Sequence, residues 1–132
     1  MNMPRSKQTA TSLLLVDDEV DYVNVLANRL KRRGFEVETA TGGAEAIQAV
    51  RRRDFDVAVL DLKMEGMDGL EVLKVFQKMD ERMVVIMLTG HGSQTAARDG
   101  IRFGAFDYLI KPCSLEDLLD KIGEARRQQT NP

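Results

Sequence analysis

Residues 13–39 read LLLVDDEVDYVNVLANRLKRRGFEVET, and this stretch holds one complete structural unit. It opens with a four-residue apolar run, Leu13–Val16, long enough for a buried strand and too short for a helix. Three acidic residues follow, Asp17, Asp18 and Glu19. Val23, Leu26, Ala27 and Leu30 then fall at i, i+3, i+4 and i+7, the spacing of one helical face, and Gly34 stands where a C-terminal glycine stops a helix. After it, FEVET alternates apolar and polar side chains, as a strand covered on one face does.

The same alternation continues outward. Apolar runs recur at Phe35–Thr39, Val57–Leu60, Met83–Leu88 and Phe106–Ile110. Helical spacing lies between them. Asp68 is placed to cap a helix carrying Leu70, Leu73 and Phe76, and Ser114 with Asp117 has capping-box spacing ahead of Leu115, Leu118, Leu119 and Ile122. The segments beginning near Thr41 and Ser93 have weaker patterns. Gly100, inside the second of them, costs a helix roughly 1 kcal/mol relative to alanine, so this helix is expected to be the loosest. Five strands alternating with five helices imply a parallel sheet covered on both faces, an α/β doubly wound architecture. LLLV, VAVL and MVVIML are apolar throughout and belong inside the sheet; FEVET and FDYLI carry polar residues and belong at its edges. The order 2-1-3-4-5 satisfies this division.

The 132 residues fit one domain. The reading divides them into a flexible tail at 1–11, a domain at 12–127 and a polar tail at 128–132. Hydrophobic residues make up 43% and charged residues 30%, enough for a packed core. Lys plus Arg number 19 against 21 Asp plus Glu, a net charge of −2, which gives no electrostatic invitation to nucleic acid. The longest apolar run, Met83–Leu88, falls far short of the roughly 20 residues of a membrane helix, so no membrane insertion is expected. With one cysteine, no apolar signal region and no zinc cluster, the expected location is the cytoplasm.

In doubly wound sheets, ligands bind beyond the carboxyl ends of the strands. The residues just past four of the runs are Asp17-Asp18-Glu19, Asp61, Thr89 and Lys111, which places carboxylates, a hydroxyl and an ammonium on one rim. Two carboxylates about 4 Å apart repel by roughly 4 kcal/mol at an effective dielectric near 20. One lysine is too little compensation for three. A hard divalent cation with oxygen ligands completes such a site, and few carboxylates with several waters suit Mg2+ better than calcium. An ionised aspartate beside it can attack phosphorus, with Thr89 and Lys111 holding the oxygens of the transferred group.

LLLVDDE, VLDLKMEGMDGLE, MLTGHG and GAFDYLIKP, in this order, resemble the receiver domain of two-component response regulators over about residues 12–127. The resemblance implies a flavodoxin-like fold and phosphorylation of an aspartate by a sensor histidine kinase or phosphotransfer protein. It makes Asp61 the phosphoacceptor. It assigns Mg2+ to Asp18, Asp61 and the carbonyl of Lys63, with Asp17 acting mainly through water. It places Thr89 and Lys111 on the phosphoryl group, makes Tyr108 the rotating aromatic of a switch, and suggests a cis peptide at Lys111-Pro112. The implied output is a changed surface around residues 89–112. A downstream protein would be met through the fourth helix, fifth strand and fifth helix, by a monomer or a weak phosphorylation-dependent dimer. One departure is visible: Glu65 stands where the family often has proline, adding a negative charge near the site. The expectation is a stand-alone receiver that promotes its own phosphorylation and dephosphorylation and is not a turnover enzyme.

Structural readings compete with these roles. Asp17 and Asp18 suit a helix N-terminus, and the triplets Lys31-Arg32-Arg33 and Arg51-Arg52-Arg53 suit helix C-termini, where the dipole favours cations. His91 reads as a solvated loop residue between two glycines and Cys113 as a small loop residue. An aspartyl-phosphatase reading wants a second aspartate two residues past the nucleophile, where this chain has Lys63. A flavin-phosphate reading conflicts with the repulsion of Asp17-Asp18-Glu19 for the ligand. A degenerate docking-only receiver would lack one of the acidic or lysine residues, and none is missing.

Overall fold

The computed structural model describes residues 10–90 and 93–130. Strands and helices alternate: β1 (Ser12–Val16), α1 (Val20–Arg32), β2 (Glu36–Ala40), α2 (Gly43–Arg52), β3 (Val57–Asp61), α3 (Gly69–Met79), β4 (Val84–Thr89), α4 (Gln94–Arg102), β5 (Asp107–Ile110) and α5 (Leu115–Thr130). The sheet is parallel throughout with the order β2-β1-β3-β4-β5, as the apolar runs imply. The polar runs are indeed the edges. Strand limits differ from the apolar runs by a residue, because pairing and not hydrophobicity decides where a strand ends. In consequence Asp61 and Thr89, expected just past their strands, are the last residues of β3 and β4.

Successive side chains of a strand point to opposite faces, and the core divides accordingly. Leu14, Val16, Ala58, Leu60, Val85 and Met87 pack with Ala46, Val72, Phe76 and Ala97 from α2, α3 and α4. Leu13, Leu15, Val57, Val59, Ile86 and Leu88 pack with Val23, Leu30, Leu118 and Ile122 from α1 and α5. Phe76 is fully buried, so truncating it to alanine would cost about 3–5 kcal/mol.

The expected helix ends are present. Gly34, at φ +96°, donates its N–H to Lys31 O while Phe35 donates to Leu30 O, a Schellman closure of α1. Asp68 Oδ1 accepts from Leu70 N at 3.1 Å, and Ser114 Oγ from Asp117 N at 3.0 Å. The basic triplets end α1 and α2, where Arg52 pairs with Glu38 at 2.7 Å and Arg33 with Glu116 at 3.4 Å. Gly100 has a packing reason that the sequence hides. A Cβ there would strike the end of Met87, so glycine lets α4 lie against β4. The expected tail at 1–11 lies mostly outside the described residues, as do His91 and the last two residues of the 128–132 tail.

Gly69 is the tightest constraint near the rim. A Cβ at this position would lie 2.5 Å from Leu62 Cα and 2.9 Å from Asp61 O, main-chain atoms that cannot swing aside. Gly69→Ala is expected to destabilise the fold by about 1–3 kcal/mol, measured as a lower midpoint in urea. An unchanged midpoint would show that the β3–α3 loop moves freely.

Candidate functional site

The C-terminal ends of β1, β3, β4 and β5 meet at one rim. Asp17 extends the β1 pairing through its N–H to Ala40 O at 3.1 Å. Its Oδ1 accepts from Glu19 N at 2.9 Å, which turns the chain into α1. Asp61 closes β3, and its Oδ1 accepts from Lys63 N at 3.1 Å. Asp18 Oδ2 accepts from Glu65 N at 2.9 Å, across from the loop after β3. Asp17 and Asp61 are buried and Asp18 is half-buried, and one carboxylate oxygen from each lies within 4.8 Å of the other two.

Lys111 follows β5 and brings the rim's positive charge. Its main-chain N–H donates to Thr89 O at 2.7 Å, and its peptide bond to Pro112 is cis. Its Nζ donates to Asp17 Oδ2 at 2.9 Å and to Glu19 Oε1 at 2.7 Å, stands 3.7 Å from Asp61 Oδ2, and lies 4.8 Å from the centre of the Tyr22 ring. Thr89 is wholly buried, yet its Oγ1 has no hydrogen-bond partner among the described residues. A buried hydroxyl left unmatched is costly and calls for an explanation. Tyr108 lies half-buried on β5 and packs with the core face that holds Met87 and Ala97.

The electrostatics follow from this crowding. Burial pushes the Asp61 carboxyl up from 3.8 to about 6; the Lys63 N–H works against the rise, and the neighbouring Asp17 adds to it. Burial works against the Lys111 ammonium, but hydrogen bonds to Glu19 and Asp17 outweigh it and raise the group well above its ordinary value. Burial raises the Cys113 thiol, which accords with the reading of Cys113 as a small loop residue.

The predicted residues Asp17, Asp18, Asp61, Thr89 and Lys111 are thus brought together. Lys63 meets Asp61 through its N–H, and Tyr108 stands apart on the flank of β5. Tyr22 was missed, and Glu19, placed on the rim with Asp17 and Asp18, had no partner assigned; both lie against Lys111. They lie three residues apart at the start of α1, a helical spacing that places them on one side. The donor set also suits a hard divalent cation. It consists of clustered carboxylate oxygens, two of the three side chains buried, with one lysine to balance them.

Residues 13–123 match the family model described as the response regulator receiver domain. The chain belongs to this family. Receivers are phosphorylation-controlled signalling modules of two-component systems. The chain is 38% identical over 116 residues to the transcriptional regulatory protein GlrR of Escherichia coli K12, covering 88% of this chain and 26% of that one. It is 34% identical over 121 residues to the acid tolerance regulatory protein ActR of Rhizobium meliloti, covering 92% and 62%. Among solved structures, a CheY-like receiver domain protein from Methanospirillum hungatei superposes with a TM-score of 0.88 at 31% identity, covering 92% of this receiver and 98% of that chain. The receiver therefore spans about a quarter of the length of the Escherichia coli relative. Among the described residues no helix is long and apolar enough to cross a membrane.

The raised Asp61 carboxyl makes stability depend on pH. A carboxyl that holds its proton more tightly when folded contributes stability that is fully present below its unfolded value of 3.8 and is lost as pH rises through about 6. In protein freed of divalent ions, Asp61→Asn should therefore stabilise the fold more at pH 8 than at pH 4.5. The difference should be about 1–3 kcal/mol, read from melting curves. An effect independent of pH would contradict this account of the site.

Proposed function

We propose that Asp61 accepts a phosphoryl group from a phosphorylated histidine on a sensor kinase or phosphotransfer protein, and that the acquired charge is read out through Thr89 and Tyr108. The observation that carries the reading is the pairing at the rim of a buried, central carboxylate with an unmatched buried hydroxyl, that of Thr89. An oxygen of Asp61 forms the bond to phosphorus as the bond from phosphorus to the imidazole nitrogen breaks, with the electron pair leaving on the imidazole. A carboxyl raised to about 6 is still mostly ionised at neutral pH, as a nucleophile must be. Lys111 shifts from its carboxylate partners toward a phosphoryl oxygen, and Thr89 donates its hydroxyl to another.

Asp18, Asp61 and the carbonyl of Lys63 would hold Mg2+, with Asp17 acting through water. The ion, when bound, supplies positive charge to the phosphoryl oxygens. The receiver thereby promotes its own phosphorylation and dephosphorylation. Downstream, the reading is a protein partner met through α4, β5 and α5, in the cytoplasm, by a monomer or a weak phosphorylation-dependent dimer without direct contact to nucleic acid.

Incubation with acetyl phosphate and Mg2+ should add the mass of one phosphoryl group, and Asp61→Asn should add none. Full phosphorylation of Asp61→Asn would overturn the assignment. Mg2+ at ten times its dissociation constant should stabilise the fold by about 1.4 kcal/mol, and Asp18→Ala should lose that gain in a thermal melt.

The readout has an energetic bound. Moving a switch from 1:99 to 99:1 takes about 5.5 kcal/mol, and one hydroxyl bond to a charged oxygen supplies roughly 1.5–3 kcal/mol. Thr89 alone is insufficient and Lys111 must contribute. Thr89→Ala should therefore still bind beryllofluoride, a phosphoryl mimic, but give only part of the amide-shift change across residues 89–112. The full change in Thr89→Ala would refute this coupling.

A further inference from the structure

Lys111 is more tightly engaged by Glu19 than by the residue it is to serve. Its Nζ lies 2.7 Å from Glu19 Oε1 and 2.9 Å from Asp17 Oδ2, but 3.7 Å from Asp61 Oδ2. The Tyr22 ring walls the ammonium at 4.8 Å. Glu19 is the N-cap of α1 and Tyr22 lies in its first turn, on the opposite side of the sheet from α4.

We propose that Glu19 is a positioning residue that tethers the Lys111 ammonium away from Asp61, so that an arriving phosphoryl group must compete with Glu19 for it. The inference rests on the reading of Lys111 as a phosphoryl contact. An ammonium has three donors, and two are engaged by Glu19 and Asp17. A third remains for a phosphoryl oxygen, but the two short contacts anchor Nζ 3.7 Å from Asp61 Oδ2, so drawing the ammonium toward Asp61 makes one of those partners yield. Asp17 is poorly placed to do so: its side chain is 3% exposed and its other oxygen is fixed by Glu19 N. Glu19 is 62% exposed, so water can replace the lysine at little cost. The exposed carboxylate is therefore the partner that lets go, and its strength sets how readily Lys111 is released. Exposed ion pairs change an equilibrium by up to about fivefold, which makes Glu19 a modulator of phosphoryl affinity and not a determinant of it.

The test is a titration of the full chain with beryllofluoride and Mg2+, followed by amide shifts, in the unaltered protein, Glu19→Gln and Asp21→Asn. Glu19→Gln keeps the size and the acceptor but loses the charge. Asp21→Asn loses the same charge from the same exposed turn at a residue that has no ion pair with Lys111. Glu19→Gln should bind beryllofluoride about threefold more tightly, with Asp21→Asn nearly unchanged. Without beryllium or Mg2+, the Lys111 ammonium nitrogen signal should move in Glu19→Gln and stay in place in Asp21→Asn. If the unaltered protein does not bind beryllofluoride, the reading of the rim fails and the tether falls with it. If it binds, but Glu19→Gln gains nothing or Asp21→Asn gains as much, the tether alone is overturned. An unmoved Lys111 signal in Glu19→Gln overturns it as well.

Discussion

Holding Asp17, Asp18 and Asp61 within 4.8 Å of one another is the constraint to which the rest of the rim answers. Repulsion at such distances amounts to roughly 4 kcal/mol per pair at an effective dielectric near 20. Side chains free to move would separate. Asp17 and Asp61 cannot, because they continue or end neighbouring strands whose register is fixed by Val16 opposite Leu60 and by the buried core on both faces. Each carboxylate also receives one main-chain N–H: Asp17 from Glu19, Asp61 from Lys63 and Asp18 from Glu65. The backbone thus orients three like charges with donors that cannot titrate. What remains uncompensated falls on Lys111 and on whatever cation the site takes up.

The main features of this arrangement were legible in the sequence because they rest on side-chain pattern. Continuous apolar runs placed β1, β3 and β4 inside the sheet, since the middle of a strand buried on both faces favours apolar side chains. The alternation in β2 identified an edge. Gly34, Asp68 and Ser114 marked helix ends because each performs a local task that few residue types can. The rim residues followed from strand ends, a rule of topology.

Other features were hidden because they belong to the main chain or to distant pairs. No side-chain pattern reveals that the N–H of Glu65 reaches Asp18 across 47 positions, a donor that proline could not supply. Glu65 drew notice for its charge, whereas the contact it makes in the structure is through its backbone. Tyr22 was passed over, and the pairing of Glu19 with Lys111 was not foreseen, because Lys111 lies about 90 residues away in sequence. Gly100 was read as a weakness within a helix. Its lack of a side chain is also what admits Met87, a packing requirement visible only once β4 and α4 are side by side.

The geometry of β4 bears on how a signal can leave the rim. Met87 and Thr89 are two residues apart on a strand, so they face the same side of the sheet, the side covered by α4. Met87 is the register partner of Tyr108 and the residue against which Gly100 seats α4. Thr89, Met87, Tyr108 and α4 therefore share one face, while Lys111 reaches Thr89 through the main chain at 2.7 Å. Under the proposed function, a phosphoryl oxygen that draws the Thr89 hydroxyl toward Asp61 acts on the end of a strand whose next side chain on that face supports both the aromatic and the helix. α1 and α5 pack on the opposite face, against Leu88 and Ile86. Lys111 is held on that side by Glu19 and Tyr22 of α1. Under these proposals the rim joins two faces: the start of α1 sets how readily the lysine is released, and α4 receives the movement of the threonine.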